Sequence, residues 1–168
     1  MLGKRKIKLG KGVTIEDETY INACSIEGVC FGNNVSLGRR STIECTGILK
    51  NVGKGIIVGN NVGLGTYCHY GCSGGIKIGS DTIIGNYVSF HSENHNFDNK
   101  DILIRMQGVN HKGIFIGENC WIGAKVTILD GVHVEDNCII AAGSLLIAGV
   151  YSKNGIYGGV PAKLLRYR

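Results

Sequence analysis

The sequence predicts an all-β chain wound as a parallel β-helix of stacked six-residue repeats. Three observations carry this: an apolar residue at every sixth position, Gly and Asn or Asp at fixed offsets behind it, and continuation of that phase through most of the 168 residues. From Ile116 the phase runs Ile116, Ile122, Ile128, Val134, Ile140 and Leu146. Earlier it reads Leu9, Ile15, Ile21; then Phe31, Leu37, Ile43; then Val58, Leu64 and, less well, Tyr70; then Ile78, Ile84, Phe90. A period of six does not fit the 3.6-residue repeat of an α-helix, and Gly and β-branched residues are poor helix formers. Short strands remain. Hexads in groups of three predict a three-sided coil, and six coils at a strand spacing of about 4.8 Å would make a prism roughly 29 Å tall.

Each part of the hexad has a physical role. Gly follows the apolar residue at Gly32, Gly59, Gly79 and Gly117, and Asn34, Asn61, Asp81 and Asn119 stand two further on. Both residue classes tolerate positive φ, so they are expected at the corners of the coil. A second small or β-branched residue then turns inward: Val35, Val62, Val88, Cys120, Val126, Val132 and Cys138. In an 18-residue coil Cys120 and Cys138 stack one layer above the other, which gives them a packing role.

Composition is consistent with one folded domain spanning residues 1–168. The 27 glycines with a single Pro read as repeat punctuation, and the 43% hydrophobic content is enough for a core. The formal charge is +5. Lys and Arg concentrate in the first 11 residues and the last six without interleaved aromatics, a poor pattern for nucleic-acid binding. The opening MLGKRKIKLG lacks the apolar run of a signal peptide, and no segment approaches the ~20 apolar residues of a membrane span. A cytoplasmic protein without stable membrane insertion is expected. Seven cysteines, an odd number set within regular repeats, are expected to be reduced thiols. Cys68 and Cys72 lack a second Cys or His pair at ligand spacing, so they read as small core residues.

The largest break in the repeat lies between Phe90 and Ile116, where an extruded loop at about 91–115 reads HSENHNFDNKDILIRMQGVNHKGIF. Insertions in solenoids fall on loops that often carry function. Three of the five histidines lie here, His91, His95 and His111. An imidazole titrating near about 6.5 can take a proton from a hydroxyl at neutral pH, as acyl transfer from a thioester to an alcohol requires. His69, on the coil below, is placed to approach the same cleft. His111 reads as structural. Neither a Walker-type nor a dinucleotide-binding Gly-rich motif is present to cradle phosphates.

The segments IGENCWIGAKVTILDGVHVEDNCIIAAGSLL and GGVPAKLLRYR resemble the hexapeptide-repeat acyltransferases, among them the maltose and galactoside, streptogramin and exopolysaccharide O-acetyltransferases. The resemblance implies a left-handed helix, a homotrimer, and acetyl-coenzyme A as acyl donor. It also implies direct O-acetylation of a sugar or sugar-derived hydroxyl, as in enzymes that decorate exopolysaccharide or capsule sugars. The NHNFD stretch matches the family's loop His followed by two residues and then Asp, which makes His95 the expected general base. Asn94, Asn96 and Asp98, with His91 and His69, are the candidate acceptor contacts. Ala124 and Ala142, 18 apart, match the small residues against which coenzyme A lies. Lys163 and Arg166 match the basic tail positions that meet its phosphates, and Trp121 borders the same wall. The chain departs from relatives at Ile147 and Ala148, where many carry Thr-Lys, and YGCSGG lacks an acceptor-side Asn. A short C-terminal tail, about 149–168, is expected, with a helix allowed there.

Two other readings are kept. In a γ-carbonic-anhydrase-type enzyme, which shares the prism, His91, His95 and His111 would be cast as ligands of a metal that the acyltransferase reading does not require. A non-catalytic repeat scaffold is the other.

Overall fold

Every group of three hexads forms one turn of a three-sided prism. The computed structural model describes residues 1–47 and 52–168. The three faces are parallel sheets whose strands come from successive coils. The first face stacks Ile7–Leu9, Gly28–Phe31, Gly55–Val58, Ile76–Ile78, Ile114–Ile116, Val132–Val134 and Gly149–Tyr151. The second runs from Thr14–Ile15 to Gly155–Gly159, and the third holds six strands from Tyr20–Asn22 to Leu145–Leu146, one per complete coil. The fold is a left-handed parallel β-helix, and among the described residues helical content is limited to two three-residue 3-10 turns, Lys4–Lys6 and Ile104–Met106. Among the described residues no helix is long and apolar enough to cross a membrane.

The hexad phase is the core. Phe31, Val58, Ile78, Ile116 and Val134 are in register on the first face and buried. On the third face Tyr70 stacks on Phe90 with ring centroids 5.0 Å apart, both fully buried. Leu9 is 47% exposed because the first coil has no neighbour beneath it. Cys120 and Cys138 are buried, as are Cys45, Cys68 and Cys72, and all seven cysteines are free thiols. Burial pushes the Cys120 thiol up to about 11.

The corners follow the sequence in part. Asn34, Asn61, Asp81 and Asn119 have φ of 55°, 57°, 60° and 51°, as their residue types predict. Their side chains form a ladder between the first and second faces: Asn34 Nδ2 donates to Asn61 Oδ1 at 3.0 Å, and Asn61 Nδ2 to Asp81 Oδ1 at 2.9 Å. Gly32, Gly59, Gly79 and Gly117 do not have positive φ, contrary to expectation. They are glycines because adjacent coils approach there. A Cβ on Gly79 would lie 2.6 Å from the Gly117 carbonyl carbon, and one on Gly59 2.7 Å from Ser80 N. The corner between the second and third faces places Glu18, Arg40, Tyr67, Tyr87 and Lys125 at φ of 55–60°. Bulky side chains there cost about 1 kcal/mol or more each. Part of that is offset in the ladder they build, where Tyr67 and Tyr87 stack at 5.1 Å and Arg40 Nε binds Glu18 at 2.7 Å.

Extra residues enter at the remaining corner, between the third face and the next first face. Leu9 pairs with Phe31, Phe31 with Val58, Val58 with Ile78, Ile78 with Ile116 and Ile116 with Val134, steps of 22, 27, 20, 38 and 18 residues. Within each coil the two hexad steps stay at six, so the whole excess falls at that one edge. The step of 38 holds the extruded loop. It is slightly shorter than the sequence predicts, since His91 completes a third-face strand and Ile114 opens the next first-face strand.

The tail is not helical. Gly149–Tyr151 and Gly155–Gly159 begin a seventh, incomplete coil, and Ala162–Tyr167 turns back as an antiparallel strand on the second face. An open edge of unpaired N–H and C=O groups at the end of the prism favours such a strand. The segment has no apolar period of 3.6 to oppose it.

Candidate active site

The extruded loop is a braced ribbon. Asn94–His95 pair antiparallel with Val109–Asn110, so His95 stands opposite Val109 with its side chain exposed. Gln107 ties the far end: its Nε2 donates to the carbonyls of Asn99 and Ile102 at 2.8 Å each, and its Oε1 accepts from Asn99 N at 3.1 Å. Asn96 is committed to the ribbon, donating to the Gln107 carbonyl at 3.0 Å and accepting from Asn110 Nδ2 at 2.5 Å. Asn94 and Asp98 are exposed.

Two buried polar side chains hold the ends of the loop to the prism. At the entry Ser92 Oγ donates to the Gly71 carbonyl at 2.7 Å and accepts from Gly74 N at 2.9 Å. At the return the Asp130 carboxylate, 2% exposed, accepts from Lys112 N at 2.9 Å on both oxygens and from Gly113 N at 2.7 Å. Sequence reasoning missed Ser92, Gln107 and Asp130. The available signal for Asp130 is a carboxylate at a corner position that is otherwise small, just before a Gly.

On the outer side of the third face the structure brings His69 and His91 together, ring centroids 5.5 Å apart. Thr42 Oγ1 lies 2.8 Å from His69 Nδ1, and His69 leans over Gly71, whose missing side chain leaves the space: a Cβ there would be 3.2 Å from His69 Nε2. Burial, and then the neighbouring His69, push the His91 imidazole below its ordinary value. His111 lies at the loop's return, where its Nδ1 is buried without a hydrogen-bond partner. The His91, His95 and His111 set considered for a metal is thus spread over a face, a ribbon and a corner. Among the described residues no group of three or more His, Cys, Asp or Glu side chains is arranged to hold a metal ion.

The expected donor wall lies elsewhere. Ala124 and Ala142 stack in adjacent coils at the corner between the second and third faces, where Gly143 N donates to the Ala124 carbonyl at 2.8 Å. Trp121 is 55% exposed on the second face, in register with Ile83 and Ile139. Arg166 pairs with Ile156 and Lys163 with Gly158 at the end of that same face, both exposed. Wall and ribbon therefore flank opposite edges of the third face. Ala124 and the ribbon anchor Asp130 are six residues apart, roughly 20 Å of extended chain. The strip between them carries His69, His91, Ser89 and Thr127.

Residues 113–148 match the family model of the bacterial transferase hexapeptide, six repeats. Among curated proteins no sequence matches the chain. Solved structures share the fold. A mutant of AntD, an N-acyltransferase from Bacillus cereus in complex with dTDP and coenzyme A, superposes with a TM-score of 0.78 at 20% identity, covering 98% of this chain and 87% of that one. A maltose O-acetyltransferase from Clostridium difficile 630 gives 0.66 at 21% identity over 95% of this chain and 68% of that one. A hexapeptide-repeat acetyltransferase from Vibrio cholerae gives 0.60 at 20% identity over 98% and 76%.

Proposed function

We propose that this chain is an acyltransferase that moves an acetyl group from acetyl-coenzyme A to a hydroxyl of a sugar or sugar-derived acceptor, with His95 as general base. The observation that carries the reading is the ribbon itself. Gln107 and Asn96 brace it and Ser92 and Asp130 fix its ends, while His95 is presented to solvent. A rigid arm that holds an exposed imidazole away from the prism has the geometry a base needs and little value for packing. Support also comes from the shared fold: the similar structures include an N-acyltransferase with coenzyme A and a maltose O-acetyltransferase.

In this reading the acceptor hydroxyl attacks the thioester carbonyl as His95 Nε2 or Nδ1 takes its proton. The tetrahedral oxyanion is held by backbone N–H groups, and collapse expels the coenzyme A thiolate, which the imidazolium reprotonates. No protein nucleophile is required. The acetyl group would lie at the end of a pantetheine arm on Ala124 and Ala142, with Trp121 beside it and Lys163 and Arg166 meeting the phosphates. Asn94 and Asp98 on the ribbon and His91 and His69 on the third face would contact the acceptor. Asn96, already bonded within the ribbon, would contribute through its shape. Because the wall and the ribbon of one chain flank opposite edges of the third face, roughly 20 Å apart, the site is completed between neighbouring copies, as a homotrimer would provide.

The test is thiol release from acetyl-coenzyme A against sugars, nucleotide-sugars and dTDP-amino sugars, for wild type and His95→Ala. Loss of about 100-fold or more in kcat with an unchanged assembly supports the base. Full activity in the variant removes the mechanism, and transfer confined to amino sugars replaces O-acetylation by N-acylation.

A further inference from the structure

A groove of about 470 Å³ lies on the first face where the extruded loop returns to the prism. Its size falls in the range of small-molecule sites. Lys54, Lys77 and Lys112 line it, together with Glu27, Phe115 and His133. Two corner glycines make room for the lysines. A Cβ on Gly75 would sit 3.2 Å from Lys54 Cδ, and one on Gly131 3.2 Å from Lys112 Cδ, so each stem lies across a bare corner. The ion pairs among the described residues are Arg40 with Glu18 and Lys153 with Asp136, which leaves the three groove ammonium groups unpaired. Phe115 and His133 are in register on adjacent coils and stack with ring centroids 4.5 Å apart at 25°. They form an aromatic wall beside the lysines.

We propose that this groove binds a nucleoside diphosphate, its base against Phe115 and His133 and its phosphates on Lys54, Lys77 and Lys112. Three lining ammonium groups against the one lining carboxylate of Glu27 leave the groove wall net positive, which suits the negative charge of a diphosphate. Aromatic faces accept any base by stacking. A monosaccharide alone would leave the cations unused. Lys112 is also the residue whose N–H is fixed by Asp130, three positions beyond the Val109 that pairs with His95. A nucleotide held here is anchored at the foot of the ribbon that carries the base. The acceptor is thereby a sugar activated as its nucleoside diphosphate ester. That assignment rests on the acyl-transfer reading, whereas the nucleotide site does not.

Coenzyme A also carries an adenosine diphosphate, so the experiment separates the two sources. Calorimetric titrations with UDP, dTDP, ADP and coenzyme A would be run on the full chain, on Lys77→Glu/Lys112→Glu, on Lys163→Glu/Arg166→Glu and on the charge control Lys8→Glu, which shares the first face but lies three coils below Lys77. Assembly size and melting temperature are checked for each. The expected result is saturable binding of a free nucleoside diphosphate that the groove variant weakens by about tenfold or more and the Lys8 variant does not. Coenzyme A affinity should follow the tail variant instead. His95→Ala should bind the nucleotide as wild type does, so that a failed catalytic reading is distinguishable from a failed site. If coenzyme A affinity falls with the groove variant and free nucleotides do not bind, the groove serves the donor and the acceptor assignment is wrong. No affinity for any of the four ligands that depends on Lys77 and Lys112 overturns the site. Should the double variant not fold, His133→Ala, which removes half the aromatic wall without changing an ammonium group, decides the same question: nucleotide affinity equal to wild type overturns the site.

Discussion

Asp130→Ala should release the ribbon while leaving the prism standing. The carboxylate accepts from two backbone donors, Lys112 N and Gly113 N, at 2.7–2.9 Å in a position only 2% exposed. Hydrogen bonds to a charged group contribute about 1.5–3 kcal/mol each. With water recovering part of the loss once the corner opens, the net value is about 3 kcal/mol. At about 1.4 kcal/mol per tenfold, the ratio of closed to open ribbon falls on the order of 100-fold. Asp130→Asn keeps one acceptor oxygen and should lose about half as much free energy. Ile122 and Ile140 lie in ladders that do not pass through the ribbon and should keep their protection. Amide hydrogen exchange reads this directly, with limited trypsin cleavage at Lys100 and Arg105 as a second probe. Faster exchange at Asn96 and Asn110 with unchanged exchange at Ile122 and Ile140 is the expected pattern. Ribbon protection equal to wild type, or prism amides that accelerate in step with the ribbon, would refute the idea that Asp130 is a local anchor. Acetyl transfer should fall with ribbon order, since a displaced His95 loses the positioning on which the proposed reaction depends.

Two further outcomes concern the core. Tyr70 is fully buried and its hydroxyl, beside the weakly accepting Cys68 and Cys72 thiols, has no hydrogen-bond partner. Tyr70→Phe should therefore raise the urea midpoint by the equivalent of about 1 kcal/mol, and Phe90, stacked directly above, shows that the row accepts Phe; a lower midpoint would mean that the hydroxyl is bonded after all. Burial holds Tyr70 and Cys72 well above their ordinary values of 10.0 and 9.0, so the unfolded chain ionises first and stability should decline as pH rises above about 9, less steeply in Tyr70→Phe above about pH 10; a flat profile would count against buried neutral groups. Gly79→Ala should lower stability by about 3 kcal/mol, because its Cβ would meet the backbone of Gly117 and Glu118 at 2.6–2.7 Å with no flexible side chain to yield, and wild-type stability in urea would show that the coils can spread there.

Parts of the candidate site were legible along the chain. His95 stands out because a step of 26 residues, Phe90 to Ile116, replaces one of six in a strict six-residue phase, and the Ala124 and Ala142 stack follows from their 18-residue separation. Asn34, Asn61, Asp81 and Asn119 announced a corner because their side chains tolerate positive φ. Tyr67, Tyr87 and Arg40 did not announce theirs. They occupy the same backbone region against propensity, supported by stacking and ion pairing with residues 20–27 positions away. Asp130 and Gln107 were invisible for a related reason: each satisfies backbone groups that become neighbours only after the loop has returned.

Periodicity along the chain was enough to establish the repeat, the three-sided coil, the identity of the inward residues and the position of the largest insertion. Contacts between coils were needed for the rest: which side chains fix the ribbon, that His69 and His91 share one strip, that the tail closes the second face as a strand, and that three lysines meet an aromatic pair in one groove. These depend on which coil lies above which. At the insertion corner, coil length varies from step to step, so sequence separation there no longer measures distance along the prism.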